Sequence, residues 1–290
     1  MLVLQLLNSL QLSMLVFLLA VGLTLIFGLM DTLNLAHGAF FTLGAYAGYV
    51  IAKATGSFWM AALFGPLIPF VLGALLQAFV LQPLASRGRS THLDLALLTF
   101  GFLFATAGAV EYFFGSNFFT IQLPSALTGR VSMFGVDYPV YRFFIIGAGL
   151  LVAAVLILVV DKTLLGATLR AGVDNREMVV SLGININVLF ALVFGLGSAL
   201  AGLAGIIAAP TMSIYSQMGL SIAVQSFVVV VVGGLGNLKG SFYASLIVGT
   251  TDTLAQAYFP EAELFAIYVL LILVMIVRPN GLFAGKLRVA

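Results

Sequence analysis

Apolar residues fill this chain in long runs, separated by short polar stretches. A bilayer-spanning helix needs about 20 apolar residues, and runs of that order fall at roughly 6–30, 34–53, 58–81, 93–114, 140–160, 185–209, 220–235, 240–258 and 263–277. The pattern predicts an all-α, polytopic integral membrane protein with eight or nine transmembrane helices, organised as a single transmembrane domain over 1–290. At least one helix is expected to be broken or re-entrant. The run 34–53 is interrupted near its start, and 220–235 is short and enters VVGGLGNLKG, where Gly233, Gly234, Gly236 and Gly240 argue for a bend. The opening stretch MLVLQLLNSLQLSM lacks a basic n-region and a small-residue cleavage site, so it reads as the start of the first span.

One polar interval stands out. Residues 161–184, DKTLLGATLRAGVDNREMVVSLGI, carry Asp161, Lys162, Arg170, Asp174, Arg176 and Glu177 between two apolar runs. Such a segment belongs in water, because hydrocarbon cannot solvate its charges. Leu165, Leu169 and Val173 recur at i, i+4 and i+8, which predicts a short amphipathic helix. Arg170, Asp174 and Glu177 share another face, with Arg170 and Asp174 spaced to pair, and Gly183 is a candidate helix stop.

Composition supports the membrane reading and removes several functions. Of 290 residues 62% are hydrophobic and 8% charged, against about 25% charged in ordinary soluble chains. The net charge of +2 gives no basis for nucleic-acid binding. Cysteine is absent, and two histidines, His37 and His92, do not make a metal cluster, so no cofactor or metal is expected. GLFAGKLR (281–288) has the wrong glycine spacing for a phosphate loop and Leu287 where Ser or Thr belongs. Any ATP hydrolysis must therefore reside on another chain. The loops holding Arg87, Arg89, Lys162, Arg170, Arg176, Lys239, Arg278, Lys286 and Arg288 outweigh those holding Lys53, Arg130 and Arg142, which places 161–184 and the C-terminus in the cytoplasm.

Polar groups inside apolar runs are candidate functional residues, since they are expensive there. Asp31, Asn34 and His37 recur at three-residue spacing and are followed by Gly38, and Asp252 lies within GTTDTLAQAY. Each could line a pathway. Each could equally be interfacial, a cap, or a buried group satisfied by neighbours. The run GLGSALAGLAG (195–205) predicts close helix packing through its small residues. An intramembrane protease is disfavoured, because neither a G-x-S-G serine motif nor a G-x-G-D motif occurs. An ion-coupled secondary transporter using Asp31 and Asp252 remains the rival.

Several stretches together resemble one family. Glu177-Met178-Val179, three residues, then Gly183 resembles the E-A-A-x-x-x-G spacing of ABC-importer coupling loops, with both alanines replaced and the downstream I-x-L-P absent. LGATLRAGVDNREMVVSLGIN (165–185), MDTLNLAHGAFFTLGAY (30–46), VVVVGGLGNLKGSFYASLIVG (229–249) and IVRPNGLFA (276–284) are similar to segments of the permeases of branched-chain amino-acid ABC importers. The resemblance implies a bacterial inner-membrane permease subunit and a second homologous permease. It also implies two cytoplasmic ATP-binding subunits docked on 161–184 and a periplasmic binding protein that delivers a small-molecule substrate. It assigns Arg170, Asp174, Arg176, Glu177 and Gly183 to ATPase coupling; the polar positions Asp31, Asn34, His37, Gly38 and Asp252, singled out by their place in apolar runs, are the candidates for lining the translocation pathway. Urea, short amides, aromatic acids and a monosaccharide are the alternative cargoes.

Overall fold

The computed structural model describes residues 2–30, 34–86, 91–133, 135–174 and 176–283. Asp31 lies outside them, as do four cations of the orientation count, Arg87, Arg89, Lys286 and Arg288. The described chain is all-α apart from one small hairpin.

Helix α1, Leu2–Met30, is 29 residues long and forms the axis of the bundle. At 1.5 Å per residue it is about 43 Å long, more than a hydrocarbon core requires. Most of it is buried, because α2 (His37–Thr55), α7 (Val140–Lys162), α10 (Ile186–Ala208), α11 (Met218–Gly233) and α12 (Leu238–Tyr258) pack around it. Between α2 and α7 lies a kinked run: α3 (Phe58–Phe64), α4 (Leu67–Leu76), a π-helical turn (Gln77–Leu81) and α5 (Gln82–Ser86). Pro66 breaks it after α3. The wider π turn comes just before Pro83, which cannot continue the ordinary hydrogen-bond ladder. Helix α6, His92–Phe114, opens on a capping box: Thr91 accepts the Asp94 N–H at 3.3 Å and Asp94 accepts the Thr91 N–H at 2.7 Å.

The segment after α6 is held at two points. Phe119 and Ile214 exchange backbone hydrogen bonds at 2.9 and 2.8 Å, and β1 (Arg130–Met133) pairs antiparallel with β2 (Val136–Pro139). After α7 come α8 (Leu164–Asp174) and α9 (Arg176–Ser181), and the chain closes with α13 (Glu263–Val277).

The expectation of eight or nine spans meets a smaller number on length and apolarity alone. Among the described residues five helices qualify, Val3–Gly28, Phe58–Ala85, Leu93–Phe114, Val140–Lys162 and Ile186–Ala208, and a sixth if α11 and α12, bent by 115°, count as one. Helix α2 is long enough but carries His, Thr, Tyr and six glycines and alanines in its buried stretch. It is wrapped by α10, α11 and α6 rather than by lipid, so nothing demands an apolar surface of it.

Small residues do the packing that 195–205 predicts. A Cβ added at Gly44 would overlap the Gly202 backbone, one at Gly205 would overlap the Phe41 carbonyl, and one at Gly197 would lie 2.8 Å from the Gly22 carbonyl. The α1–α10 and α2–α10 seams are thus backbone-to-backbone contacts, in which dispersion between close helices replaces the missing hydrophobic drive of a lipid solvent.

Candidate functional site

Within the polar interval 161–184 the described residues on either side of position 175 are helical, Leu164–Asp174 and Arg176–Ser181. Helix α9 ends in a Schellman motif: the Gly183 N–H donates to Val180 at 2.9 Å, the Ile184 N–H donates to Val179 at 3.3 Å, and Gly183 sits at φ +82°. The predicted stop at Gly183 is therefore its position in the fold. The predicted stripe is split between its first two members, and the Val173 side chain lies outside the described ones. Leu169 is 9% exposed and packs with Leu25 and Val193, whereas Leu165 is 64% exposed. The inward face of α8 runs through Gly166, Leu169 and Gly172 instead. Gly166 is inside because α8 turns back against the end of α7, where an added Cβ would strike the Val160 carbonyl. Arg170 donates to that same Val160 carbonyl. The side chains of Asp174, Arg176 and Glu177 lie outside the described ones, so the expected Arg170–Asp174 pair is not among the described contacts.

Facing outward, α8 and α9 leave Leu164, Leu165, Met178, Val180 and Leu182 uncovered beside charged residues. The unit is also tied to the bend between α11 and α12. Asp161, at the end of α7, pairs with Lys239, at the start of α12, at 2.8 Å. Both side chains are well exposed, so Lys239→Ala is expected to cost only about 0.5 kcal/mol. A double-mutant cycle with Asp161→Ala in thermal unfolding checks this, and a coupling energy several times larger would contradict it.

A second polar cluster lies level with the middle of α1. His37 is 1% exposed and its Nε2–H donates to the Leu19 carbonyl at 2.6 Å, while Ser226 on α11 donates to the same oxygen at 3.4 Å. Its Nδ1 has no partner among the described residues, nor does Nδ2 of the buried Asn34. Asn34 Oδ1 accepts the Ala36 N–H at 3.1 Å, and Thr99 of α6 accepts the Leu35 N–H at 3.1 Å, so the turn into α2 is held from two sides. Asn34 thus shapes the turn ahead of the helix, while Ala36 takes the cap position without a side-chain bond. Gly38 meets Gly219 backbone to backbone, which brings the first turns of α2 and α11 together. The structure therefore groups Asn34, His37 and Gly38.

Asp252 is elsewhere. It is buried on α12 one turn beyond Gly249, whose added Cβ would lie 2.5 Å from Ser13 Oγ. Ser13 lies six residues before Leu19 on α1, an axial offset of about 9 Å toward the N-terminal end. Beside Asp252, Thr253 lines a cleft of about 340 Å³ with Gln5, Asn8, Gln11, Arg142 and Gln256. The sequence reading did not pick out this cluster. Its signal was available as carboxamides at i, i+3 and i+6 (Gln5, Asn8, Gln11) in an otherwise apolar helix. Among the described residues no group of three or more His, Cys, Asp or Glu side chains could hold a metal.

Comparison with known proteins adds a sequence-wide likeness. Residues 5–277 match the family described as branched-chain amino acid transport system, permease component. The high-affinity branched-chain amino acid transport system permease protein LivH of Escherichia coli K12 is 26% identical over 96% of this chain and 94% of its own length. BraD of Pseudomonas aeruginosa, a permease of the same description, is 25% identical over 96% and 94%. LivM of Escherichia coli K12 is 26% identical over 93% of this chain and 68% of its own. Among solved structures, PsaBC from Streptococcus pneumoniae in complex with Fab shares the fold at a TM-score of 0.52 and 14% identity, covering 94% of this chain and 91% of that one.

Proposed function

This chain belongs to the family of permease components of branched-chain amino acid transport systems, and we propose that it forms one half of the translocation pathway of an ABC importer for branched-chain or related amino acids. It is a multi-pass membrane transport subunit and not an enzyme; ATP hydrolysis belongs to separate subunits. The cargo follows the names of LivH, BraD and LivM. Because this chain resembles both LivH and LivM, the second permease is proposed to be a homologue, with two ATPases inside and a binding protein outside.

The observation that carries the mechanism is the α8–α9 unit. Its helical residues, outside the membrane and tied by Arg170 to the end of α7, present Leu164, Leu165, Met178 and Leu182 as exposed surface. An apolar patch rimmed by charge marks a protein contact, and the ATPase is its occupant in this reading. Arg170, Asp174, Arg176, Glu177 and Gly183 are the proposed coupling residues. Movement of α8–α9 reaches the bundle along α7 and through Asp161–Lys239, a two-state rigid-body change.

With α8–α9 and the C-terminus cytoplasmic, nine membrane helices are proposed, and α2, α11, α12 and α13 supplement the five apolar spans. Helix α11 is the re-entrant one. It starts against Gly38 level with mid-α1, and its turn into α12 lies beside Asp161 at the inner end of α7. The transmembrane unit is proposed to extend over 1–290, with 161–184 as its coupling loop.

Asn34, His37, Gly38 and Asp252, with Asp31, are proposed to line or gate the pathway. His37→Ala at normal membrane abundance is expected to cut leucine uptake at least about tenfold, the equivalent of one lost polar contact. Unchanged uptake in Asn34→Ala, His37→Ala and Asp252→Ala would remove that assignment. Competition by urea, short amides, aromatic acids or monosaccharides in the same assay decides the cargo class.

A further inference from the structure

Resting on the importer reading above, we propose that the cleft between the ends of α1, α7 and α12 is an entry station that holds the carboxylate of the incoming amino acid on Arg142. Three observations carry it. The first is composition: the cleft of about 340 Å³ is lined by Gln5, Asn8 and Gln11 from α1, Arg142 from α7, and Thr253 and Gln256 from α12. That volume is at the small end of ligand sites, roughly 300–1,000 Å³, and fits cargo of amino-acid size.

The second is the state of Arg142. Its Nη1 donates to Asn8 Oδ1 at 2.5 Å, and its Cζ lies 5.5 Å from the centroid of the buried Tyr138 ring. These contacts fix the guanidinium in place but do not neutralise it. Among the described residues the one ion pair is Lys239–Asp161, so Arg142 has no carboxylate partner there. A guanidinium has five N–H donors, and one neutral acceptor leaves an oriented fork for a planar two-oxygen anion.

The third is position. Arg142 lies in the first turn of α7 and Asp161 in its last, 19 residues apart and about 29 Å along the axis, a full hydrocarbon thickness. With 161–184 in the cytoplasm, the cleft opens on the opposite side, where cargo arrives. Thr253 also places it next to Asp252, one step along the proposed pathway. The carboxamides of Gln5, Gln11 and Gln256 supply donors and acceptors for a zwitterion without adding a charge that would trap it.

The test is leucine uptake by the complete complex in liposomes, with wild-type chain, Arg142→Gln and Arg142→Lys. Arg142→Gln keeps a donor for Asn8 but removes the charge, and is expected to lower uptake at least about tenfold, with Arg142→Lys recovering a large part. Leucinamide, which lacks the carboxylate, is expected to compete at least about tenfold less well than leucine for wild type but equally for Arg142→Gln. Equal uptake in all three chains overturns the proposal. So does Arg142→Gln losing bound phosphatidylglycerol with uptake intact, which would make the cleft a lipid seat, or losing the second permease alone, which would make it a subunit contact. If Arg142→Gln does not assemble, Gln256→Leu is used, with the same loss of uptake expected and normal uptake overturning the proposal. If the wild-type complex carries no branched-chain amino acid, the cargo reading fails separately. The comparison is then made on the cargo it does carry, and a cargo without a carboxylate overturns this proposal too.

Discussion

Glu177→Arg combined with Gly183→Trp is expected to abolish co-purification of the ATPase and its stimulation by the permease. Gly183 sits at φ +82° as the closing residue of α9. Any side chain there costs roughly 1–2 kcal/mol in a left-handed conformation and opens the Schellman bonds that fix where Val179 and Val180 stand. An added Cβ meets nothing within 4 Å, so the damage falls on backbone conformation and on the surface offered outward, not on the bundle. Reversing the charge at Glu177 removes the acidic anchor that the coupling-loop resemblance assigns. Loss of a central contact in a protein interface is worth about 2–4 kcal/mol, or some thirtyfold to a thousandfold in affinity. Membrane abundance should be unaffected. Stoichiometric ATPase retained on the double variant would show that α9 is not the docking element.

Gly44→Ala is expected to do the opposite: leave α8–α9 untouched and prevent the bundle from closing. The added methyl would occupy the space of the Gly202 Cα and carbonyl, which are backbone atoms and cannot rotate aside. Helices α2 and α10 would have to separate along a seam that also contains Gly205 against Phe41, at a cost of about 3 kcal/mol or more. Gly101→Ala is the control, since an added Cβ there meets nothing within 4 Å and alanine favours the helix. Thermal unfolding in detergent should show a large destabilisation, or no folded protein, for Gly44→Ala and none for Gly101→Ala. Equal stability of the two variants would show that the α2–α10 seam yields.

How far these features were legible in the sequence differs by feature. The apolar runs marked α1, α6, α7 and α10 within a few residues, since lipid demands an apolar surface and hydropathy registers that demand directly. Gly183 and the glycines of 233–240 were also readable, because positive φ and tight bends select glycine. The small residues of 195–205 announced close packing, though not the partners Gly22 and Gly44.

The stripe Leu165, Leu169 and Val173 marked a helix but did not tell which of its members meet the bundle. Hydropathy places Leu165 inside, but the space beside Val160 is too narrow for any side chain, so Gly166 takes the buried position and Leu165 faces out. Helix α2 was hard to count because its neighbours, not lipid, surround it. The separation of Asp252 from His37 depends on which turn of α1 each one meets, and no one-dimensional pattern contains that. The cleft at Arg142 joins residues from both ends of the chain, and only the carboxamide spacing in α1 hinted at it.

The most direct test of the central claim is a choice of energy source. This chain, its partner permease, the two ATPases and the binding protein are reconstituted in liposomes, and leucine accumulation is followed under two conditions. With ATP on the side of 161–184 and no ion gradient, accumulation against a gradient is the predicted result, and Gly183→Trp should abolish it. Accumulation driven by a proton or sodium gradient without ATP, and lost in Asp252→Asn, would contradict the account and identify an ion-coupled transporter instead.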